Sequence, residues 1–282
     1  MSWAPLRYAV ARPFRKPADV RVIADVCWEV SPAVDDVRTA ANYAPEELDL
    51  VAGFGSYSSL EVELARIKGH RVTHAPTRLY RLKNAWLRGA YVYAGSSREQ
   101  VSMAKISRPA LGAPRRLPSA MMCGSVVASV YFGHFVTEQL SAELLASELG
   151  LAACSSGRQV AYAHERPLRA ALGVDGSRLE HAVFDELFVI DDFGQNASKR
   201  ARYCRMRELV RRGARPKSVR GVVIRRGLSG SRRNLLNEDA LIESLVRDGF
   251  AVVDPARDGI LTLRDALHDA PVVVGVEGSS LV

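Results

Sequence analysis

The last third of the chain alternates short β-branched apolar runs with stretches of helical period, and that rhythm admits few folds. "GVVIRR" (Gly221–Arg226) reads as a buried strand. In "NEDALIESLVRDG", which follows it, Leu241, Ile242, Leu245 and Val246 make one apolar stripe. Asn237 suits the N-cap, Glu238 and Asp239 sit in the first turn where the helix dipole favours acids, and Gly249 is placed to end the helix. "FAVVD" (Phe250–Asp254) is a second strand, "TLRDALHDA" (Thr262–Ala270) a short helix capped by Thr262, and "VVVGV" (Val272–Val276) a third strand. Strands joined through helices by short links pair in parallel, with right-handed crossovers. A looser version precedes it: "GSVVASV" as a strand, "HFVTEQLSAELLASELG" as a helix stopped by Gly150, "RQVAYAH" as a strand, "RPLRAALG" as a short helix and "FDELFVI" (Phe184–Ile190) as a strand. Together they predict an α/β protein of two Rossmann-like lobes with parallel sheets, one over residues 81–195 and one over 196–282, joined near a basic helix at Asn196–Arg212. Residues 1–80, with prolines at 5, 13, 17, 32, 45 and 76, give no clear pattern. The sequence closes on "VEGSSLV", a strand and a turn with no helix after it, so the C-terminal lobe reads as incomplete.

In such sheets ligands gather at the carboxyl ends of strands, where loops meet helix N-termini. Two loops fit: "RRGLSGSRRN", carrying Arg225, Arg226, Arg232 and Arg233, and "EGSS", Glu277–Ser280. Gly227, Gly230 and Gly278 allow close backbone approach, and arginine forks onto phosphate oxygens. Neither GxxxxGK[ST] nor GxGxxG occurs. Guanidiniums packed this closely repel one another unless an anion sits among them; the plainer reading is a solvated loop. Between Lys199 and Asn234 there are fourteen Lys/Arg and one acid, Glu208, a local net of +13 in a chain whose total is +8. The remainder is therefore at −5. The block suits phosphate groups or an anionic surface, although a helix with a solvated arginine face would account for "KRARYCRMRELVRR" by itself.

Other classes are disfavoured. Cys27, Cys123, Cys154 and Cys204 form no CxxC pair and have no histidine at ligand spacing, so reduced thiols are expected rather than a zinc site. The first twenty residues lack the sustained apolar core of a signal peptide, which points to the cytoplasm. Leu117–Thr137 has no charged residue over roughly a bilayer's thickness, but its Ser, Gly, Ala and His content fits buried strand and helix better.

"YFGHFVTEQL" places His134 and Glu138 four apart, on one helical face. An imidazole oriented by a carboxylate is what a base taking a hydroxyl proton needs. An ordinary i,i+4 pair at a helix start is the alternative. Asp191–Asp192 is not a DxD metal motif and reads as a loop after a strand.

Three stretches together resemble the family 61 glycosyltransferases. "YFGHFVTEQLSAELLAS" resembles that family's HW-x-x-E helix, "VVIRRGLSGSRRNLLNEDALIESLVRDGFAVVDP" its RR…RR-x-x-NE block, and "VVVGVEGSSLV" its V-V-G-x-x-G-(A/S)-x-L segment. The resemblance runs from about Asn84 to Val282. It implies a GT-B architecture and an inverting, metal-independent transfer of a sugar from a nucleotide donor to a hydroxyl. His134 and Glu138 fall where the acceptor-side base and its partner would be. Arg225, Arg226, Arg232, Asn237 and Glu238 fall on the block around the donor, and Glu277, Gly278 and Ser279 on the turn by the diphosphate. Phe135 stands where the family helix has Trp, and Glu277 where many relatives have His.

The first expectation is thus a glycosyltransferase serving capsule, exopolysaccharide or lipopolysaccharide assembly. It would use a nucleotide-sugar co-substrate, no metal or other cofactor, and a glycan or lipid-linked acceptor. Its place is the cytoplasm, with peripheral contact at an anionic membrane face as an option. The second, from another class, is a non-catalytic protein binding RNA or another polyanion through residues 199–234. Tyr203 is the only aromatic in that block, which argues against base stacking and so against nucleic acid.

Overall fold

The computed structural model describes residues 4–14, 18–51, 53–54, 58–104, 113–157, 162–215, 218–226 and 235–276. In chain order, α1 (Ala4–Ala11), β1 (Val26–Ser31), β2 (Val34–Arg38) and α2 (Leu60–Lys68) precede β3 (His70–His74), β4 (Thr77–Arg88), β5 (Tyr91–Ala94) and β6 (Ser97–Gln100). Then come β7 (Arg115–Met122), the short α3 (Phe132–His134), a π-helical segment Phe135–Leu140 and α4 (Ser141–Glu148). They are followed by β8 (Ala153–Ser155), α5 (Glu165–Leu172), β9 (Ser177–Arg178), β10 (His181–Asp191) and α6 (Ala197–Arg211). The last group is β11 (Gly221–Ile224), α7 (Glu238–Arg247), β12 (Phe250–Val253), α8 (Pro255–Leu267) and β13 (Val273–Gly275).

An α/β fold is present, but its large sheet is mixed rather than parallel. The strand order is β6-β5-β4-β10-β7-β8-β9, with β1 on β4. β10, β7, β8 and β9 run parallel, while β4, β5 and β6 form an antiparallel meander. Gly89 at φ 56° and Gly95 at φ 54° make the two tight turns of that meander in the left-handed region. Leu82, Leu87, Val92, Ala120, Met122, Phe184, Leu187 and Val189 form its buried face. A second cluster, with Phe135, Leu140, Leu144, Leu168, Leu172 and Met206, packs α3–α4 against α5 and α6. The predicted C-terminal unit is parallel, in order β12-β11-β13.

Three local expectations fail for physical reasons. "GSVVASV" is a run of turns, not a strand, because Ser125 Oγ accepts from Ala128 N at 3.1 Å and Ser129 Oγ donates to Val126 O at 2.6 Å. Such local side-chain bonds compete with strand pairing. The strand is "RRLPSAMM" just before it, whose buried end is Ala120–Met122. In "RQVAYAH", residues 158–161 lie outside the described residues and Tyr162–His164 are not strand. Helix α8 starts at Pro255 under Asp254, whose carboxylate accepts from Ala256 N at 3.0 Å, breaks at Gly259 (φ 80°, ψ 167°) and resumes directly after it, so Thr262 lies inside the second piece and not at its cap. Among the described residues, no helix is long and apolar enough to cross a membrane.

The chain divides into two compact units, one of Met1–Trp28, Leu79–Ile190 and Ala201–Val282, the other of Glu29–Arg78 and Asp191–Arg200. In the second, β2 pairs antiparallel with β3. Thr77 Oγ1 donates to Asp192 Oδ1 at 2.7 Å, and Asn196 Nδ2 donates to Ala75 O at 3.0 Å and to Thr77 Oγ1 at 2.9 Å. Lys199 is buried and donates to Asp192 O, and Arg200 pairs with Asp36. The Arg200 hydrogen bond holds the Asp36 carboxyl below its ordinary range.

All four cysteines are free, Cys123 and Cys154 buried, Cys27 and Cys204 exposed. Burial, with the Glu143 carboxylate nearby, raises the Cys123 thiol well above its usual range and pushes Cys154 up to about 12. The thiolate is the nucleophile. Iodoacetamide at neutral pH should therefore alkylate Cys27 and Cys204 in the folded protein and reach Cys123 and Cys154 only after denaturation, as peptide mass spectrometry would read. Fast labelling of Cys154 in the native state would contradict the packing.

Candidate active site

Strand β7 lies between its parallel neighbours β10 and β8, and the loop after its carboxyl end leads into the helix that carries His134. That is where an open α/β sheet presents its ligand-binding loops. Gly124 lets the loop pass close to β8, since a Cβ there would lie 3.1 Å from Ser155 Cβ. Ser125 follows, and its hydroxyl donates to Glu138 Oε2 at 2.7 Å.

Glu138 uses its other oxygen for His134. The His134 Nδ1 to Glu138 Oε1 separation is 2.7 Å. A carboxylate only accepts, so Nδ1 carries the hydrogen, and in the neutral imidazole the lone pair sits on Nε2. The His134 side chain is 48% exposed and that of Glu138 25%, so the imidazole is open to a substrate while its partner is half-covered. Tyr131 lies beside it, with ring centroids 6.0 Å apart. Both residues sit at a π-helical segment, a feature often found at functional sites. Ser125, Glu138 and His134 thus form a hydrogen-bonded chain ending at an open ring nitrogen.

A second cluster forms at the carboxyl end of β11. With order β12-β11-β13, the chain leaves β11 towards one neighbour and returns on the other side, which places a topological switch point between β11 and β13. Ile224 pairs with Gly275, so Arg225 and Val276 follow from adjacent strand ends. Arg225 Nη1 donates to Asp239 Oδ1 at 2.7 Å, and Arg226 N donates to Glu238 Oε1 at 2.7 Å. Asn237 takes the N-cap position of α7 but its side chain makes no capping bond. The structure therefore gathers Arg225, Arg226, Asn237 and Glu238 at one strand end. The protein's own Asp239 is the anionic partner of the Arg225 guanidinium, which accounts for one of the charges that the sequence left unbalanced, while Glu238 takes a backbone N–H. Arg232, Arg233, Gly227, Gly230, Glu277, Gly278, Ser279 and Ser280 lie outside the described residues.

Sequence reasoning missed two features. Ser125 carries no motif of its own; its signal is the Gly-Ser step directly after a strand. The other is a buried ion network behind the helix. Glu143, fully buried, accepts from Arg169 Nε at 2.8 Å, from Arg169 Nη2 and from Gln139 Nε2 at 2.7 Å. Arg169 also pairs with Glu165, which takes Arg178 at 2.9 Å. These partners are up to 26 residues apart, beyond any local pattern. The cationic block is only partly a surface, because Lys199 is 3% exposed and Arg202 2%. Among the described residues no group of three or more His, Cys, Asp or Glu side chains gathers as a metal site.

Comparison with known proteins adds one finding. A family model described as Glycosyltransferase 61 matches residues 132–282, more than half of the chain. The match begins one residue after Tyr131 and includes His134, Glu138 and the whole β11–β13 unit. No curated protein matches.

Proposed function

The chain belongs to the glycosyltransferase 61 family, and we propose that it moves a sugar from a nucleotide-sugar donor to a glycan hydroxyl in one inverting displacement. The observation that carries this reading is His134 Nδ1 tied to Glu138, which leaves Nε2 as the acceptor of a proton. In the proposed step, Nε2 takes the hydrogen of the acceptor hydroxyl as its oxygen bonds to the anomeric carbon. The bond from that carbon to the nucleoside diphosphate breaks on the opposite face. Glu138 stabilises the imidazolium that results, and Ser125 holds Glu138 in place. Preorganised charge matters most where charge develops. The leaving diphosphate would be met by Arg225 and Arg226 at the β11 end, and by Arg232, Gly278 and Ser279. Guanidiniums and backbone amides supply that stabilisation, so the scheme needs no metal.

The arrangement belongs to a GT-B-type enzyme in this reading, with His134 on the acceptor side and the β11–β13 unit on the donor side. Capsule, exopolysaccharide or lipopolysaccharide assembly is the proposed setting, on the cytoplasmic side of the membrane. The alternative of a polyanion binder loses support because Lys199 and Arg202 are buried against protein carbonyls and so are withdrawn from any such surface.

Thermal-shift measurements with UDP-, GDP-, CMP- and TDP-sugars test the reading. One nucleotide class should raise the melting temperature, by a stabilisation of about 2.7 kcal/mol when the ligand is at a hundred times its Kd. A melt unmoved by every nucleotide sugar but raised by RNA in a salt-dependent way would replace the transferase with the polyanion binder.

A further inference from the structure

The helix that bears His134 changes register part-way along. From Phe135 to Leu140 its turns are π rather than α. The extra residue changes the phase between the two ends by about 100° relative to an uninterrupted α-helix. The far end is fixed in the core: Gln139, Leu140, Ser141 and Glu143 are buried, and Arg169 grips Glu143. The π segment therefore decides which way the His134 end faces.

Returning from π to α spacing leaves a carbonyl competing for a donor. The Thr137 carbonyl lies inside this π segment. Just past the segment, Ser141 N–H donates to Glu138 O. The Tyr203 hydroxyl, from α6, donates to Thr137 O at 3.0 Å. The Thr137 hydroxyl donates to Gly133 O, also at 3.0 Å. Beside Tyr203, the buried Arg202 sends Nη1 to Ser141 O at 3.2 Å. Helix α6 thus holds the His134 helix at two carbonyls four residues apart, on either side of the point where register changes.

We propose that Tyr203 is a positioning residue for the His134–Glu138 pair, its hydroxyl holding a carbonyl within the π segment and so fixing the phase of the imidazole. The functional meaning rests on the reading of His134 as the base. The register itself does not, and the test is chosen to separate the two. Tyr203→Phe removes one hydroxyl and keeps the ring in its cluster. With the carbonyl uncapped, the helix gains by expelling the extra residue, and the exposed His134 end is the one free to turn.

Imidazole ¹⁵N spectra report the tautomer of neutral His134 without any substrate. The wild type should show Nδ1–H, because Glu138 accepts there. In Tyr203→Phe the signal is expected to pass in majority to Nε2–H, with amide resonances of residues 134–140 displaced and far-UV circular dichroism unchanged. An Nδ1–H tautomer and amide pattern identical to wild type would overturn the proposal. Global unfolding of the variant would overturn it as well, since a register device leaves the sheet core intact. Failure of every nucleotide sugar to bind or react would remove the base role and leave this tautomer result standing.

Discussion

His134→Ala is expected to lower turnover by about 10²–10⁴-fold, the usual contribution of a positioned general base and about 3–5 kcal/mol of barrier. The melting-temperature rise given by the donor nucleotide should survive, because the residues proposed to hold the diphosphate lie on the β11–β13 unit. The fold should survive too. His134 is half exposed, and its recorded partners are the side chain of Glu138 and the ring of Tyr131, not the core. Ser125→Ala, which frees one oxygen of Glu138 and leaves the His134 bond in place, should cost much less. The ordering follows from the chain of bonds, since each step away from Nε2 acts through one more intermediary. The measurement is initial rate with the nucleotide sugar that stabilises the protein, alongside its thermal shift. Turnover equal to wild type in His134→Ala would remove the base assignment.

What the sequence made legible depends on how local each determinant is. Strand β11, helix α7 with its Leu241–Ile242–Leu245–Val246 stripe, and strands β12 and β13 were readable because period and short links specify them within a few residues of one another. Gly249 ends α7 at φ 87° as its position suggested, and Gly150 does the same for α4 at φ 68°. The His134–Glu138 pair was readable because i,i+4 spacing brings side chains together in π and α turns alike. Strand β7 was not: it carries Arg115, Arg116 and Pro118 and buries only its last three residues, so the apolar run just beyond it drew the assignment. The π segment left no mark in the sequence, because it is set by what α6 and α5 press against the helix. Nor could the antiparallel β4–β6 half of the large sheet be seen, since nothing local says that β4 will pair with β10 about a hundred residues later. The arginine block was read as one cationic surface. In the structure Lys199 and Arg202 turn inward, Arg200 finds Asp36 and Arg225 finds Asp239, partners that only the fold supplies.

Arg169→Ala should destabilise the protein by about 3–5 kcal/mol, the usual cost of breaking a buried pair from one side. Glu143 has no exposed side-chain surface, and Arg169 forks onto both its oxygens. Burial opposes the charge on Arg169, but Glu143 and Glu165 more than offset this, so its pKa is raised. Without the guanidinium, the Glu143 carboxylate keeps only Gln139 among the described residues, in a space where water has little room. Gly176 already packs so close that a Cβ on it would sit 2.5 Å from the Glu143 carboxyl carbon. For a domain of this size a loss of that order lowers the melting temperature by about 10 °C. The double variant Glu143→Leu/Arg169→Met should recover most of the loss, because two apolar groups of similar volume carry no desolvation cost. Differential scanning calorimetry of the two variants decides the point. If Arg169→Ala melts within a degree of wild type, the carboxylate is not a buried charge that needs its partner. The far end of the His134 helix would then lack the anchor from which its π register is measured.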